Sequence, residues 1–242
     1  MQTTWKESQS ILVILAHPDD PEFFCGGTIA KWSTEGHSVS YCLLTCGDKG
    51  ADDPSIDPRD LCVIRHREQK AAAAVLGVNR IHFLNYPDGY LIPDIPLRLD
   101  ITRIIRKEKP DIVVTCDPEL LYVQNQRLNH PDHRAAGQAV LDAVFPAAGN
   151  PMYFPELISD EGLQPHAPKE VWISLAREPN TIIDITNYWE IKIKALLHHK
   201  SQIGKTRVFK ERMRKRHTPT STLDDPRYEE RFRRLIFLKD TK

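Results

Sequence analysis

A short run that is apolar at every position ends abruptly in charged residues near the start of this chain. Residues 11–15 read ILVIL, and His17, Asp19 and Asp20 follow almost at once. Such a run is typical of a strand that is buried on both faces in a parallel sheet. Charged groups are costly to bury without partners. The run therefore predicts a strand that delivers a histidine and two carboxylates to the edge of a sheet. Other groups must compensate the cost of burying these charges there.

Similar apolar runs alternate with longer segments of helical periodicity. Strands are predicted at residues 11–16, 38–45, 80–84, 111–115 and 171–175, and helices at 27–35, 59–76, 95–109, 132–144 and 188–200. This alternation is typical of βαβ units, so we predict a doubly wound α/β fold with a mostly parallel sheet flanked by helices. The length favours one domain over residues 1–242, with a long loop at about 145–170 and a C-terminal helical or extended tail at about 188–242.

The charge balance restricts the possible partners, and the cysteines indicate the cellular location. The chain has 33 Lys and Arg and 33 Asp and Glu, so its formal net charge is zero. A nucleic-acid or anionic membrane partner usually requires a basic surface, and we therefore expect a small-molecule partner, no nucleic acid and no membrane. No secretory signal or membrane-spanning run is recognisable. The five cysteines are dispersed, which predicts reduced thiols and a cytoplasmic location.

Two clusters of histidine and aspartate lie far apart in the sequence but at equivalent places in the predicted fold. His17 and Asp20 follow the first strand, and His133 lies in the loop after the 111–115 strand. In such sheets ligands bind beyond the carboxyl ends of the strands, so the clusters can meet there. Two imidazoles and one carboxylate predict a catalytic Zn²⁺ site, one ion per chain, with a vertex left for water. Another divalent ion also accepts this donor set.

Three further residues of the clusters have predicted acid–base roles. Asp19 lies next to a ligand in the sequence and its side chain is expected to project elsewhere, where it can accept a proton from metal-bound water, so we interpret it as the general base. His130 precedes the ligand His133 by three residues and is expected to face the cavity, where an imidazolium would stabilise an oxyanion or protonate a leaving amine. Asp132 is interpreted as the carboxylate that orients His130 or His133, although a helix cap is the simpler alternative.

The two clusters resemble the signatures of a known family. AHPDDPE at residues 16–22 and HPDH at 130–133 are similar to the two motifs of the LmbE-like, PIG-L-type zinc-dependent N-acetylglucosamine deacetylases. Segments at 26–28, 44–50, 65–71, 194–202 and 228–235 are similar as well. The resemblance implies a Rossmann-like fold and the same roles for the residues named above. It also implies a substrate contact by Arg65 and a homo-oligomer. Asp48, in the loop after the second predicted strand, is a weaker candidate for substrate contact.

Together these features predict a zinc-dependent hydrolase that removes the N-acetyl group from an amino-sugar substrate of GlcNAc type, releasing acetate and a free amine. Two alternatives remain open. A metal-dependent phosphoesterase on a small molecule would usually need two metals and more bridging carboxylates. A non-catalytic sugar-binding module would have no use for Asp19. Residues 118–128 and 146–168 match no substrate-defining pattern, so the exact amide is left open.

Overall fold

The computed structural model describes residues 5–123 and 126–237. Its strands are β1 Ser10–Leu15, β2 Ser38–Thr45, β3 Arg80–Tyr86, β4 Ile112–Cys116, β5 Tyr122–Val123, β6 Arg127–Leu128, β7 Glu170–Ser174, β8 Thr181–Asp184 and β9 Glu229–Ile236. Its α-helices are α1 Asp20–Thr34, α2 Pro58–Val75, α3 Ile95–Glu108, α4 Pro131–Asp142, α5 Glu156–Ser159, α6 Trp189–Leu196, α7 Lys200–Ile203 and α8 Thr206–Arg214. All five predicted strands are present, and the predicted α/β class is confirmed.

The main sheet has seven strands in the order β3-β2-β1-β4-β7-β9-β8. The first five strands of this order are mutually parallel, whereas β9 runs antiparallel to both β7 and β8. The chain winds outward from β1 in one direction to β3 and then crosses to β4, so the order reverses between β1 and β4. Such a reversal opens a crevice at the carboxyl edge. Both predicted clusters follow these two strands.

The first helix starts earlier than predicted because it is kinked. The prediction began at residue 27, whereas α1 begins at Asp20 and bends at Cys25, which has φ −145° and ψ 18°. Beyond the kink, the carboxylate of Glu230 on β9 accepts hydrogen bonds from the backbone N–H groups of Gly27 at 3.0 Å and Thr28 at 2.8 Å. The C-terminal tail therefore supplies the cap for the second half of α1.

The predicted long loop is tied down by a buried arginine. The segment contains a π-helical turn at Ala143–Ala148 and the short α5. Arg106 of α3 has no exposed surface, and its guanidinium donates to the backbone carbonyls of Ala147, Ala148, Asn150 and Tyr153 at 2.8–3.2 Å. Because each carbonyl accepts from the same planar group, this segment is fixed against α3.

The expectation of five reduced thiols was wrong for one pair. Cys46 and Cys62 form a disulfide, while Cys25, Cys42 and Cys116 are free and buried. The sequence spacing of 16 residues does not reveal this, because the pair meets only when α2 packs beside the end of β2, at a Cα–Cα distance of 5.1 Å. Over the residues that the structure describes, no helix has the length and apolar character to cross a membrane.

Candidate metal and acid–base site

The two clusters meet at the carboxyl edge of the sheet around one carboxylate. Asp20, the first residue of α1, places Oδ2 3.3 Å from Nδ1 of His17 and Oδ1 3.2 Å from Nε2 of His133. The ligand atoms of the three residues all lie within 4.8 Å of one another. Burial alone would raise the pKa of Asp20, but the two histidines hold it well below its ordinary value. The carboxylate is therefore ionised and available to a cation.

The donor set fits a divalent metal. Nε2 of His17 lies 3.0 Å from Asp88 and 3.3 Å from Asp132, so three carboxylates surround this imidazole. Burial lowers the pKa of His17, but the attraction of Asp20 and hydrogen bonds to the three carboxylates raise it well above its ordinary value. Three carboxylates this close together favour a positive charge between them. A divalent ion supplies that charge with the nitrogen and oxygen ligands that Zn²⁺ prefers.

An asparagine that the sequence reasoning passed over orients His133. Oδ1 of Asn129 lies 3.0 Å from Nδ1 of His133, so the proton is assigned to Nδ1 and the lone pair of Nε2 points toward Asp20. Asn129 is itself held by a hydrogen bond that its side chain donates to the carbonyl of Leu120 at 2.9 Å. The sequence signal was its position, four residues before His133 and directly before the HPDH motif.

Asp19 occupies the N-cap position of α1 in an unusual backbone conformation. Its φ of 95° lies in the left-handed region, and its backbone N–H donates to Oε1 of Gln69 at 2.8 Å. Its carboxylate lies 3.5 Å from Nη2 of Arg65. Burial raises the pKa of Asp19 to about 6, although Arg65 opposes the rise. A carboxyl group with a pKa near 6 is suited to exchange protons close to neutral pH.

A buried polar network lies behind Asp19. Nε2 of Gln69 donates to both carboxylate oxygens of Glu22, at 3.0 and 3.1 Å, and Nε2 of His199 lies 3.1 Å from Glu22. Glu22, Gln69 and His199 have no exposed surface. None of the three was predicted as a site residue, although Glu22 belongs to the first motif. Since the network ends on the backbone of Asp19, it fixes where that carboxylate can point.

His130 is exposed beside the residues proposed to bind the metal. Its Nδ1 accepts a hydrogen bond from the backbone N–H of Asp132 at 3.2 Å, so His130 itself caps α4. Its ring packs edge-on against His17, with centroids 4.7 Å apart. Burial, helped by His17, lowers the pKa of His130. The lowered pKa favours the neutral ring over the imidazolium that we expected, and the part of His130 in the reaction stays a prediction.

Asp132 contacts a different histidine from the two predicted ones. Its carboxylate accepts from the backbone N–H groups of Gly89 at 2.7 Å and Leu91 at 3.2 Å, and it faces Nε2 of His17 at 3.3 Å. Neither the ring of His130 nor that of His133 is its partner. The expected partner is thus corrected to His17, because the first turn of α4 aims this side chain at the loop after β3.

The two predicted substrate-contact residues lie in supporting positions. Arg65 is only 4% exposed, and its guanidinium donates to the carbonyls of Gly47 at 2.9 Å and Pro18 at 2.6 Å. Oδ1 of Asp48 accepts from the backbone N–H of Asp88 at 3.1 Å. Arg65 thus braces the loops that carry Asp19, and Asp48 holds the next loop. Direct contact of either with substrate stays a prediction.

Asp88 is a site residue that the sequence reasoning missed. Its Oδ1 lies 3.0 Å from Nε2 of His17, and its Oδ2 accepts from the backbone N–H of Lys49 at 3.2 Å. Ligand atoms of His17, Asp88 and His130 also lie within 4.8 Å of one another. Asp88 follows β3 as the other clusters follow β1 and β4, so the same strand-end argument would have found it.

The comparison with known proteins decides the family. A profile of the family PIG-L, described as GlcNAc-PI de-N-acetylase, matches residues 12–144, more than half of the chain. The chain belongs to this family. Among curated relatives, the diacetylchitobiose deacetylase of Thermococcus kodakarensis is 38% identical over 199 residues, which cover 82% of this chain and 72% of the relative. The resemblance inferred from the two motifs is confirmed.

Solved structures show the same fold in enzymes of different chemistry. The N,N'-diacetylchitobiose deacetylase from Pyrococcus horikoshii, complexed with its inhibitor MPG, has a TM-score of 0.85 and 34% identity, covering 97% of this chain and 86% of that one. GalB, the 4-carboxy-2-hydroxymuconate hydratase of Pseudomonas putida KT2440, has a TM-score of 0.73 and 20% identity, covering 97% and 98%. GalB shares the fold alone, so the reaction must be argued from the side chains of the site.

Proposed function

We propose that this protein is a zinc-dependent hydrolase that removes the N-acetyl group from an amino sugar of GlcNAc type, releasing acetate and a free amine. The observation that carries the proposal is the convergence of His17, Asp20 and His133 beside Asp19, in a chain of the PIG-L family. The relatives reported above that share more than 30% identity are both named as diacetylchitobiose deacetylases. A short saccharide that ends in N-acetylglucosamine is therefore the first substrate to test.

In this proposal the donor set His17, Asp20 and His133 holds the ion, which is expected to be zinc. A bound Zn²⁺ would polarise the acetyl carbonyl and make water more acidic. Asp19 accepts the proton of the attacking water, since its carboxylate is only 15% exposed and its pKa lies near 6. Arg65 keeps that carboxylate in place through the contact at 3.5 Å.

The remaining residues bind and orient. His130 has its Nε2–H free to donate to the oxyanion that forms on the acetyl group, because its Nδ1 is occupied as an acceptor. Asp132 and Asp88 both face Nε2 of His17, so they set the orientation of that ring. Carboxylates close to a bound sugar also accept hydrogen bonds from hydroxyl groups, and we assign that role to Asp88 and Asp48.

The direct test is hydrolysis of a panel of N-acetylated amino sugars by the purified protein, with liberated amine and acetate measured separately. We expect activity that a chelator abolishes and that one equivalent of Zn²⁺ per chain restores. Asp19→Asn should retain the metal and lower turnover by about 10²–10⁴-fold. Normal turnover in this variant would remove Asp19 from the mechanism. Phosphate release from phosphorylated sugars, or sugar binding without any hydrolysis, would instead support the two alternative functions.

Three broader expectations belong to the same proposal. Residues 1–242 would act as one domain, since strands from both ends of the chain share one sheet. The protein would be a cytoplasmic homo-oligomer. The three free thiols of Cys25, Cys42 and Cys116 favour this location while the Cys46–Cys62 disulfide counts against it, and the family resemblance favours the assembly. Cell fractionation and the mass of the native protein in solution test these statements, and a secreted monomer would contradict both.

A further inference from the structure

A second cluster of reactive side chains lies beside the loop that follows β2. Cys46 is the first residue after β2, and its disulfide partner Cys62 lies near the start of α2. Nε2 of His66, one turn further along α2, lies 3.8 Å from Sγ of Cys62. None of these three residues belongs to the metal site described above, so the cluster needs its own explanation.

His66 is placed to exchange a proton with Cys62. Its ring packs on that of Phe83, with centroids 3.8 Å apart. Burial and the charge of Lys70 lower the pKa of His66, although a hydrogen bond with Asn85 opposes this. The imidazole is therefore neutral near pH 7 and able to accept a proton. Because Nε2 of His66 lies 3.8 Å from Sγ of Cys62, the ring can take the proton of a thiol there and so favour the reactive thiolate form.

Exposure distinguishes the paired cysteines from the others. Cys62 is partly exposed and Cys46 is 7% exposed, whereas Cys25, Cys42 and Cys116 have no exposed surface. Burial also raises the pKa of all three free thiols. An external thiol or disulfide can therefore reach Cys62 first, while the three free cysteines stay inert.

The disulfide and a site arginine tie the same loop to the same helix. Gly47 follows Cys46 directly, has φ 68°, and its carbonyl accepts from Nη1 of Arg65 at 2.9 Å. A Cβ at Gly47 would lie 2.0 Å from Nη1 of Arg65, so the loop is in close contact with the guanidinium. Nη2 of the same group lies 3.5 Å from the carboxylate of Asp19. Opening the bridge would free one anchor of this contact.

We propose that Cys46 and Cys62 form a reversible thiol–disulfide site, with His66 as the base for Cys62, and that its state controls how firmly the loop at residues 46–50 holds Arg65. The oxidant is a low-molecular-weight disulfide. His66 takes the thiol proton of Cys62, and the sulfur of Cys62 attacks the small disulfide, whose S–S bond breaks. The first small thiolate leaves and takes that proton from His66.

The second step closes the bridge. The sulfur of Cys46 attacks Sγ of Cys62 in the mixed disulfide, the bond to the small molecule breaks, and a second small thiol leaves with the proton of Cys46. The protein loses two electrons and two protons, and the small disulfide gains both. Reduction follows the same steps in reverse, beginning with attack of an external thiolate on the more exposed sulfur of Cys62.

The test equilibrates the full chain in buffers of reduced and oxidised glutathione and counts alkylated cysteines by mass spectrometry. We expect Cys46 and Cys62 to titrate together in one two-electron transition. Cys46→Ser should stop at a glutathione adduct on Cys62, and Cys62→Ser should form little adduct. His66→Gln should slow exchange by about tenfold or more, as loss of a thiolate-forming base implies. Cys42→Ala serves as the control and should behave like the wild type.

Two results would refute the proposed thiol–disulfide site. One is a pair that stays oxidised, or stays reduced, across the whole range of buffers in the folded protein. The other is a second zinc per chain in the reduced protein that is lost in Cys62→Ser, which would identify a metal site, since ligand atoms of Cys46, Cys62 and His66 lie within 4.8 Å of one another.

The link to Arg65 rests on the proposed function and has its own measurement. Reduction should lower turnover on the best substrate by about threefold or more, because catalysis is sensitive to small displacements of positioned groups. The double variant Cys46→Ser, Cys62→Ser should no longer respond to the buffer. Equal turnover in both states would refute the link, whereas a protein without deacetylase activity would refute the proposed function and leave the thiol titration standing.

Discussion

The backbone N–H of Asp19 donates a hydrogen bond of 2.8 Å to the side chain of Gln69, and this contact holds Asp19 at a φ of 95°. A left-handed conformation costs a residue other than glycine about 1–3 kcal/mol, so it persists only where surrounding contacts impose it. Gln69 is in turn held by Glu22. The proposed base is thus positioned by a residue of α2 that lies 50 residues further along the chain.

Loss of the Gln69 side-chain amide should disturb both ends of this network. We expect Gln69→Leu to lower turnover by about tenfold or more and the free energy of unfolding by about 2–4 kcal/mol, since the N–H of Asp19 and the buried Glu22 each lose a partner. Steady-state kinetics and urea unfolding measure the two effects. Gln138→Leu is the matched control, because Gln138 is exposed on α4, and it should change stability by less than about 0.5 kcal/mol. A fully active Gln69→Leu variant would show that Asp19 needs no such support.

The second prediction separates a metal ligand from the residue that orients it. His133→Ala should lose the metal, whereas Asn129→Ala should retain it with an affinity weakened by about 10–100-fold, because Asn129 only fixes the proton of His133 on Nδ1. Competition with a chromophoric chelator measures both affinities. His166→Ala is the control, since His166 bonds to the carbonyl of Pro110 before β4, at the opposite edge of the sheet. Unchanged zinc content in His133→Ala would exclude this residue as a ligand.

The third prediction concerns the buried pair that caps the kinked helix. Nζ of Lys192 donates to Glu230 at 2.6 Å, and both side chains are at most 5% exposed. Glu230→Gln should lower the free energy of unfolding by about 3–5 kcal/mol, because it leaves the ammonium of Lys192 buried without its counter-charge. Adding Lys192→Met should recover part of this loss.

The matched surface pair is Lys31 with Glu35 at the end of the same helix, 2.5 Å apart and partly exposed. Glu35→Gln should change stability by less than about 1 kcal/mol. If Glu230→Gln and Glu35→Gln cost the same, the C-terminal tail does not hold α1 through this ion pair.

The fourth prediction is a pH dependence away from the metal site. The carboxylate of buried Glu170 accepts from Arg234 at 2.7 and 2.8 Å and from the indoles of Trp5 at 3.1 Å and Trp172 at 2.8 Å. Burial alone would raise the pKa of Glu170, but these hydrogen bonds lower it below its ordinary value. A lowered pKa in the folded state means that this stabilisation is present above the unfolded pKa of about 4.3 and is lost as the pH falls through the folded pKa.

The difference in unfolding free energy between the wild type and Glu170→Gln should therefore be large and constant from pH 7 to about pH 5 and should shrink below about pH 4. Urea unfolding at a series of pH values gives this difference, in which the contributions of all other carboxylates cancel. Glu178→Gln, at the exposed ion pair with Arg233, should show no such dependence. A difference that stays constant down to pH 3 would mean that the pKa of Glu170 is not lowered in the folded protein.

Local patterns were sufficient for the parallel part of the fold. The strands from β1 to β4 and β7 are rich in apolar residues and alternate with segments of helical periodicity, a pattern typical of parallel βαβ units. Strand β9 could not be found in this way. Its sequence, EERFRRLI, carries charges on most positions, because several of its side chains pair with partners such as Glu170 and Lys192 that only the tertiary structure brings near.

The chain's own order of residues was enough to predict the family, the α/β sheet and the two His-Asp clusters, because a buried strand exposes whatever follows it at one edge of the sheet. Which groups then meet was decided in three dimensions. Asp88, Asn129 and Gln69 reach the site from three different elements, Asp132 turns to His17, and Cys62 closes on Cys46. Contacts between side chains depend on how helices and loops pack. The spacing of residues along the sequence does not specify how close their side chains lie in the folded protein.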